Sequence, residues 1–515
     1  MVAFLAGLTL LVLGYFFYGR LVSNCLPPDP SRATPAFVLR DGMDFVPLST
    51  WRVFLIQLLN IAGLGPVFGP ILGALWGPQV MLWVVFGCIL GGATHDLLAG
   101  SLSVRNNGAG LPDLIGHYLG PAARHVATAF IMVLMILVGT VFVKGPAGLI
   151  VRILPAETVG GLFGSGAVAA LQAQVCGSPI WLWIVMLAIF LYYVLATMLP
   201  IDKLIGRVYP LFGACLIIMV VGLFIAIVGG RIQVPPFDLT NHHPAATPAW
   251  PIIFITVSCG AISGFHATQS PLMARCLKSE SHMRPVFYGA MIVEGLIALV
   301  WATASSGYYG GVAGLSAAMG PGHNPAIVVH EVCVGTLGAL GGVLAVLGVV
   351  VLPITSGDTA FRAGRLIAAD YLRLPQIKVA NRYKVALPLF AISLALNFIP
   401  FGIIWRYFGW ANQTLAAVTL WACAVALARK GSWWWVAALP ATFMTVMTFT
   451  YILVESRQNG CFGMDRAWGT GIGLVLGAAS LALFLFKLGA LQRAGDKPPL
   501  PRPEKEAAGA TCDGI

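Results

Sequence analysis

Apolar runs of about twenty residues recur along the whole chain, and the short stretches between them hold most of the polar and charged positions. A bilayer core of roughly 30 Å needs about 20 apolar residues per helix. About thirteen runs meet that length, near 2–20, 51–77, 79–100, 126–150, 179–199, 209–229, 250–270, 286–306, 326–354, 385–400, 410–428, 433–453 and 468–488. The pattern predicts an all-α polytopic membrane protein. The first run lacks a basic leading segment and a small-residue cleavage site, so it reads as a retained helix.

Two runs are interrupted. The second contains Asn60-Ile61-Ala62-Gly63-Leu64-Gly65-Pro66-Val67-Phe68-Gly69-Pro70, and the seventh contains Val257-Ser258-Cys259-Gly260-Ala261-Ile262-Ser263-Gly264-Phe265-His266-Ala267-Thr268-Gln269-Ser270-Pro271. Main chain left unpaired in hydrocarbon costs several kcal/mol per group, so a helix broken here must line protein or a wet cavity. Glycines also let membrane helices pack closely, but packing alone does not call for Pro66 and Pro70. The second run climbs outward and the seventh, five helices later, descends. Two five-helix units of opposite orientation, each starting with a broken helix, form the inverted-repeat core of many secondary transporters. The predicted organisation is an extra helix and inner loop over 1–50, repeats over 51–230 and 231–430, two accessory helices over 431–490 and a disordered tail over 491–515.

Composition agrees: 58% hydrophobic and 10% charged residues, with a mean hydropathy of +0.87. The net charge of +11 is spread over loops and does not form one basic face, which argues against nucleic acid. With the N-terminus outside, about 24 Lys and Arg fall on the inner side and 5 on the outer, an asymmetry that sets orientation and puts the C-terminus in the cytoplasm. Cysteines show no metal-ligand spacing such as C-x-x-C; Cys176 and Cys461 both lie in outer loops, where a disulfide between them is one option. The inner loop from Phe361 to Lys384 reads as an amphipathic surface helix, and the Gly- and Ala-rich stretch 160–173 as a short re-entrant or surface helix.

Ionisable groups inside membrane runs are functional candidates by default. Glu294 and His266 lie well inside their runs and are candidates for proton coupling. Lys144 reads as snorkelling to the outer interface, and His95 and Asp96 as interfacial at the inner end. Thr355, Ser356 and Asp358 end the ninth run, where the hydroxyls can complete an oxygen cage for Na⁺ with carbonyls near Ala62 and Gly65 or simply bond back to their own helix. Substrate contacts are expected from Gly63, Gly65, Pro66, Gly69, Gly260, Ser263, Gly264, Phe265, His266 and Gln269, with Phe265 as a gate. Neither a Walker A loop nor a G-x-S-x-G elbow occurs, and His330-Glu331 lacks the second histidine of a zincin helix, so no enzyme is indicated.

The chain resembles the carbon starvation protein A family of bacterial peptide and pyruvate transporters. The resemblance lies in Asp41-Gly42-Met43-Asp44-Phe45-Val46-Pro47, Ala62-Gly63-Leu64-Gly65-Pro66, Arg105-Asn106-Asn107-Gly108, Leu199-Pro200-Ile201-Asp202-Lys203, the block from Cys259 to Pro271, Leu352 to Arg362, and Trp405 to Gln413. It implies a secondary carrier of the amino acid, polyamine and organocation type in the bacterial inner membrane. The expectation is a leucine-transporter-like core importing small peptides by alternating access, with pyruvate or another small carboxylate as alternative. A channel or membrane sensor is the second alternative. H⁺ or Na⁺ is the coupling ion, no other cofactor is expected, and oligomeric state is left open.

Overall fold

The computed structural model describes residues 1–42, 44–196, 201–320, 325–372, 374 and 378–502, with the backbone alone for 201–210, 346, 352 and 355. Met43 and part of Leu199-Pro200-Ile201-Asp202-Lys203 therefore lie outside the described residues, as do the Thr355 side chain and the tail from 503. The principal helices are α1 (Val2–Cys25), α2 (Thr50–Ile61), α3 (Gly65–Gly73), α4 (Val80–Arg105), α5 (Leu111–Leu119), α6 (Pro121–Ile153), α7 (Ile180–Ala196), α8 (Ile201–Val228), α9 (Ala249–Thr256) and α10 (Gly264–Ala274). They continue as α11 (Glu280–Tyr308), α12 (Pro325–Ala345), α13 (Leu352–Leu372), α14 (Val379–Leu396), α15 (Phe401–Arg429), α16 (Trp435–Val454) and α17 (Arg466–Ala494).

Among the described residues ten helices are long and apolar enough to cross a membrane, or up to eleven when the bent pair α2 and α3 counts as one span. The count of thirteen is thus not reached by length and apolarity. Of the two remaining predicted runs, α7 has 17 helical residues among those described, and the seventh run is split into α9 and α10 with seven non-helical residues between them.

Most of the helices pack around one core. α11 lies against α1, α2 and α3, while α10 lies against α4 and α15. Outside them α6, α7, α13 and α14 share a second core of Val143, Met186, Tyr193, Phe361 and Phe390. That core explains one difference from expectation: from Phe361 the chain does not leave the bundle but continues α13 to Leu372, because Phe361, Ala363 and Ala369 are buried. Lys144 likewise does more than snorkel, since its Nζ donates to the carbonyls of Asn397 (2.8 Å) and Ile399 (2.6 Å), just past the end of α14.

Loops assigned to one side by charge do meet. Buried Glu280 accepts from the Asp29 N–H (2.9 Å), Arg32 (3.3 Å) and Arg105 (3.1 Å). On the other side Arg152 pairs with Glu331 at 3.0 Å. Residues 495–500, expected to be disordered, are strapped to the first of these faces: Arg429 donates to the Gly495 carbonyl, and Asn106 and Asn107 hold the two ends of the Leu500 peptide. The stretch 156–179 forms two short surface helices and a two-stranded hairpin. Cys176 and Cys461 are both free thiols, so the outer disulfide is not formed.

Candidate functional site

The first break spans Ala62 to Leu64, where the chain bends by 44°. The turn closes on itself, with the Gly63 N–H donating to Ile61 at 2.9 Å. One carbonyl is covered from across the bundle: Ser356 Oγ on α13 donates to the Leu59 carbonyl at 3.1 Å. Ordinary back-bonding is seen one turn on, where Thr359 Oγ1 donates to the Ser356 carbonyl at 2.8 Å. Asp358 is buried and pairs with Arg362, one turn on, at 3.5 Å.

The second break, Val257 to Ser263, leaves more main chain open, and side chains from three helices satisfy it. Trp83 of α4 donates to the Val257 carbonyl (2.8 Å), and Gln413 of α15 donates to the Phe254 carbonyl (2.9 Å). The Gly260 N–H donates to Glu294 Oε1 of α11 (3.1 Å). Asn412 Oδ1 of α15 accepts from the Phe265 N–H (2.7 Å), in the first turn of α10, and lies 3.1 Å from Ser263 Oγ.

The two breaks touch. A Cβ on Gly65 would stand 2.2 Å from Cys259 Cβ, so only glycine permits this crossing. Gly260 holds a left-handed φ of +87° and faces Pro66 on one side and Ala298 on the other. Gly69 lies against the Thr256 carbonyl, and Gly264 against the backbone of α15 at Asn412 and Ala416. Several glycines predicted as substrate contacts are thus close-approach positions where the two spans cross. The ring of Phe142 on α6 lies against Gly63 and meets Phe265 edge-on, with centroids 6.4 Å apart.

At the base of this crossing lies a fully buried ionisable cluster. His266 Nδ1 is 3.0 Å from Asp96 Oδ2, and its Nε2 is 3.4 Å from Glu294 Oε2. His95 Nδ1 contacts the other Asp96 oxygen at 2.8 Å. All four side chains have zero exposure. The interfacial placement of His95 and Asp96 is therefore corrected, because α4 continues to Arg105 and carries both inside the protein. Gln269 is buried with its Oε1 unsatisfied.

Sequence reasoning brought out His266 and Glu294 but missed Asn412 as a cap and Gln57 and Asn60 on α2. Gln57 and Asn60 are buried with unsatisfied oxygens. Their spacing of three in an apolar helix, which places both on one face, was the available signal.

Comparison with known proteins decides the family. The family described as "Carbon starvation protein CstA" matches residues 1–164, 147–333 and 301–451. The chain belongs to it. A Haemophilus influenzae protein described as an uncharacterised membrane protein is 43% identical over 333 residues, 58% of this chain and 89% of its own length. A Campylobacter jejuni protein named Peptide transporter CstA is 28% identical over 86% of this chain and 78% of its own. The Escherichia coli protein named Pyruvate/proton symporter BtsT is 28% identical over 58% of this chain and 48% of its own. Among solved structures, MhsT in complex with L-phenylalanine superposes with a TM-score of 0.53 at 13% identity, over 87% of this chain and 99% of that one. The fold is therefore the leucine-transporter-like, five-plus-five inverted-repeat architecture of a multi-pass membrane protein.

Proposed function

We propose that the protein is a secondary importer of small peptides in the bacterial cytoplasmic membrane, working by alternating access. Residues 51–230 and 231–430 serve as the two repeats, with the N-terminus outside and the C-terminus inside. The observation that carries this reading is the contact of two broken spans at Gly65–Cys259 and Pro66–Gly260 above the His266–Glu294–Asp96 cluster. Half-helix ends of both signs suit a zwitterion: the amides at Ser263 to Phe265 for its carboxylate and the carbonyls at Leu59 to Ile61 for its ammonium. For the peptide to bind, its carboxylate must replace Asn412 Oδ1 on the Phe265 amide, and the Phe142–Phe265 pair must part. Glu294 and His266 carry the coupling proton, with Ser356 and the first break as the rival sodium position. Pyruvate is the second reading, favoured by the resemblance to the protein named Pyruvate/proton symporter BtsT.

The test is accumulation of labelled di- and tripeptides, and in parallel of labelled pyruvate, in proteoliposomes with an imposed pH or Na⁺ gradient. Peptide accumulation against its gradient is expected. Accumulation of pyruvate alone replaces the first reading with the second, and equilibration of solute without accumulation refutes a carrier.

A further inference from the structure

Transport uses the second break for a solute and a proton, but the same break also holds a thiol that neither step needs. Cys259 Sγ, a ring nitrogen of His266 and a Glu294 carboxylate oxygen all lie within 4.8 Å of one another, and the three residues are buried. His266 Nε2 and Glu294 Oε2 point at each other at 3.4 Å and have no other hydrogen-bond partner. The sulfur lies 3.6 Å from Ser263 Oγ and 3.7 Å from Asn412 Nδ2, and it is also within hydrogen-bonding reach of His266.

We infer that Cys259, His266 and Glu294 form a binding site for a soft divalent transition ion, with Zn²⁺ the best match. The geometry is that of a tetrahedral edge: ligand atoms about 2.0–2.1 Å from Zn²⁺ stand about 3.3–3.4 Å apart. The observed 3.4 Å between nitrogen and oxygen already has that value. The thiol is already within about 1 Å of its own corner, since a sulfur near 2.3 Å from the ion stands roughly 3.6 Å from its neighbours and none of the three ligand atoms is more than 4.8 Å from another. The donor set of one thiolate, one imidazole and one carboxylate selects Zn²⁺ over Na⁺, Mg²⁺ or Ca²⁺, which prefer oxygen alone.

The surroundings carry the second feature of a metal centre. A metal-bound histidine gives its other ring nitrogen to a carboxylate that fixes the tautomer, and His266 Nδ1 faces Asp96 Oδ2 at 3.0 Å. Asp96 is held in turn by His95. Binding releases the Cys259 thiol proton, together with any proton on His266 Nε2 or the Glu294 carboxylate, to solvent; ion and coupling proton therefore compete for one place. Access to so buried a site is through the transport pathway, so the inference rests on the carrier reading for its route, though not for its chemistry.

Co²⁺ is the probe, titrated into the full-length protein in detergent. One ion per chain is expected, with a near-ultraviolet thiolate-to-cobalt charge-transfer band that Zn²⁺ abolishes. Cys259→Ser should lose that band, and Asp96→Asn should weaken binding by about 10–100-fold. Cys423→Ser, which removes a buried thiol of α15, should leave both unchanged. A wild-type protein without the charge-transfer band, or a Cys259→Ser protein that keeps it, overturns the site. Uptake is scored separately: transport without cobalt binding refutes the metal site alone, and cobalt binding without transport refutes the carrier reading alone.

Discussion

The two interrupted spans face the same problem, main chain exposed at membrane depth, and meet it with different chemistry. The first break is short and turns back on its own backbone, and Ser356 is the side chain that reaches it with a hydrogen bond to a carbonyl. The second is seven residues long and depends on Trp83, Glu294, Asn412 and Gln413, drawn from three other helices. A break that closes locally can bend without disturbing its neighbours. A break closed by distant side chains is tied to those helices, so displacing it costs hydrogen bonds to α4, α11 and α15 together.

This contrast predicts unequal damage. The largest effect is expected from Asp96→Ala, which strips one counter-charge from buried His266 and should destabilise the folded protein by about 3–5 kcal/mol. A melt of the detergent-purified variant checks it, and a change within about 0.5 kcal/mol would show that the cluster is not held by charge. Next comes Glu294→Gln, which keeps the size of the side chain but removes its titratable proton; pH-driven uptake should vanish with the fold intact and with a smaller loss of stability than Asp96→Ala, since the longer 3.4 Å contact to His266 is the one weakened. Full uptake across pH in that variant removes Glu294 from coupling.

A smaller effect belongs to Asn412→Ala. It leaves the Phe265 amide and the Ser263 hydroxyl without their acceptor, a loss of about 1–3 kcal/mol, and by vacating the half-helix terminus should also change substrate affinity. Unaltered stability and affinity together would deny Asn412 its capping role. The smallest effect is expected at the first break: Ser356→Ala should cost about 0.5–1.5 kcal/mol and abolish any dependence of uptake on Na⁺. If neither the wild type nor the variant responds to Na⁺, the first break is structural only.

Much of the fold was legible because membrane helices obey a length rule and glycine and proline mark where that rule is broken. The positions of the two breaks, their separation by five spans and the ionisable residues His266 and Glu294 all stand out against apolar runs. Asp96 did not, because it lies toward the polar end of its run, where local sequence reads the same for an interfacial carboxylate and a buried one; only the neighbouring helices decide which it is. Asn412 was quoted as part of a motif, yet nothing along the chain says that it caps a helix starting at residue 264. Gln57 and Asn60 were passed over because two amides in twelve apolar-rich residues resemble ordinary variation until both prove buried.

By itself the sequence determined a membrane class and the two places where helix must stop, since each follows from the local balance of apolar length and backbone freedom. The tertiary structure decided which atoms answer those stops. His266 meets Asp96 across 170 positions of chain and Gly65 meets Cys259 across still more. Such pairings are chosen by how helices cross and which small residues let them approach, and no periodicity within a single run records that choice.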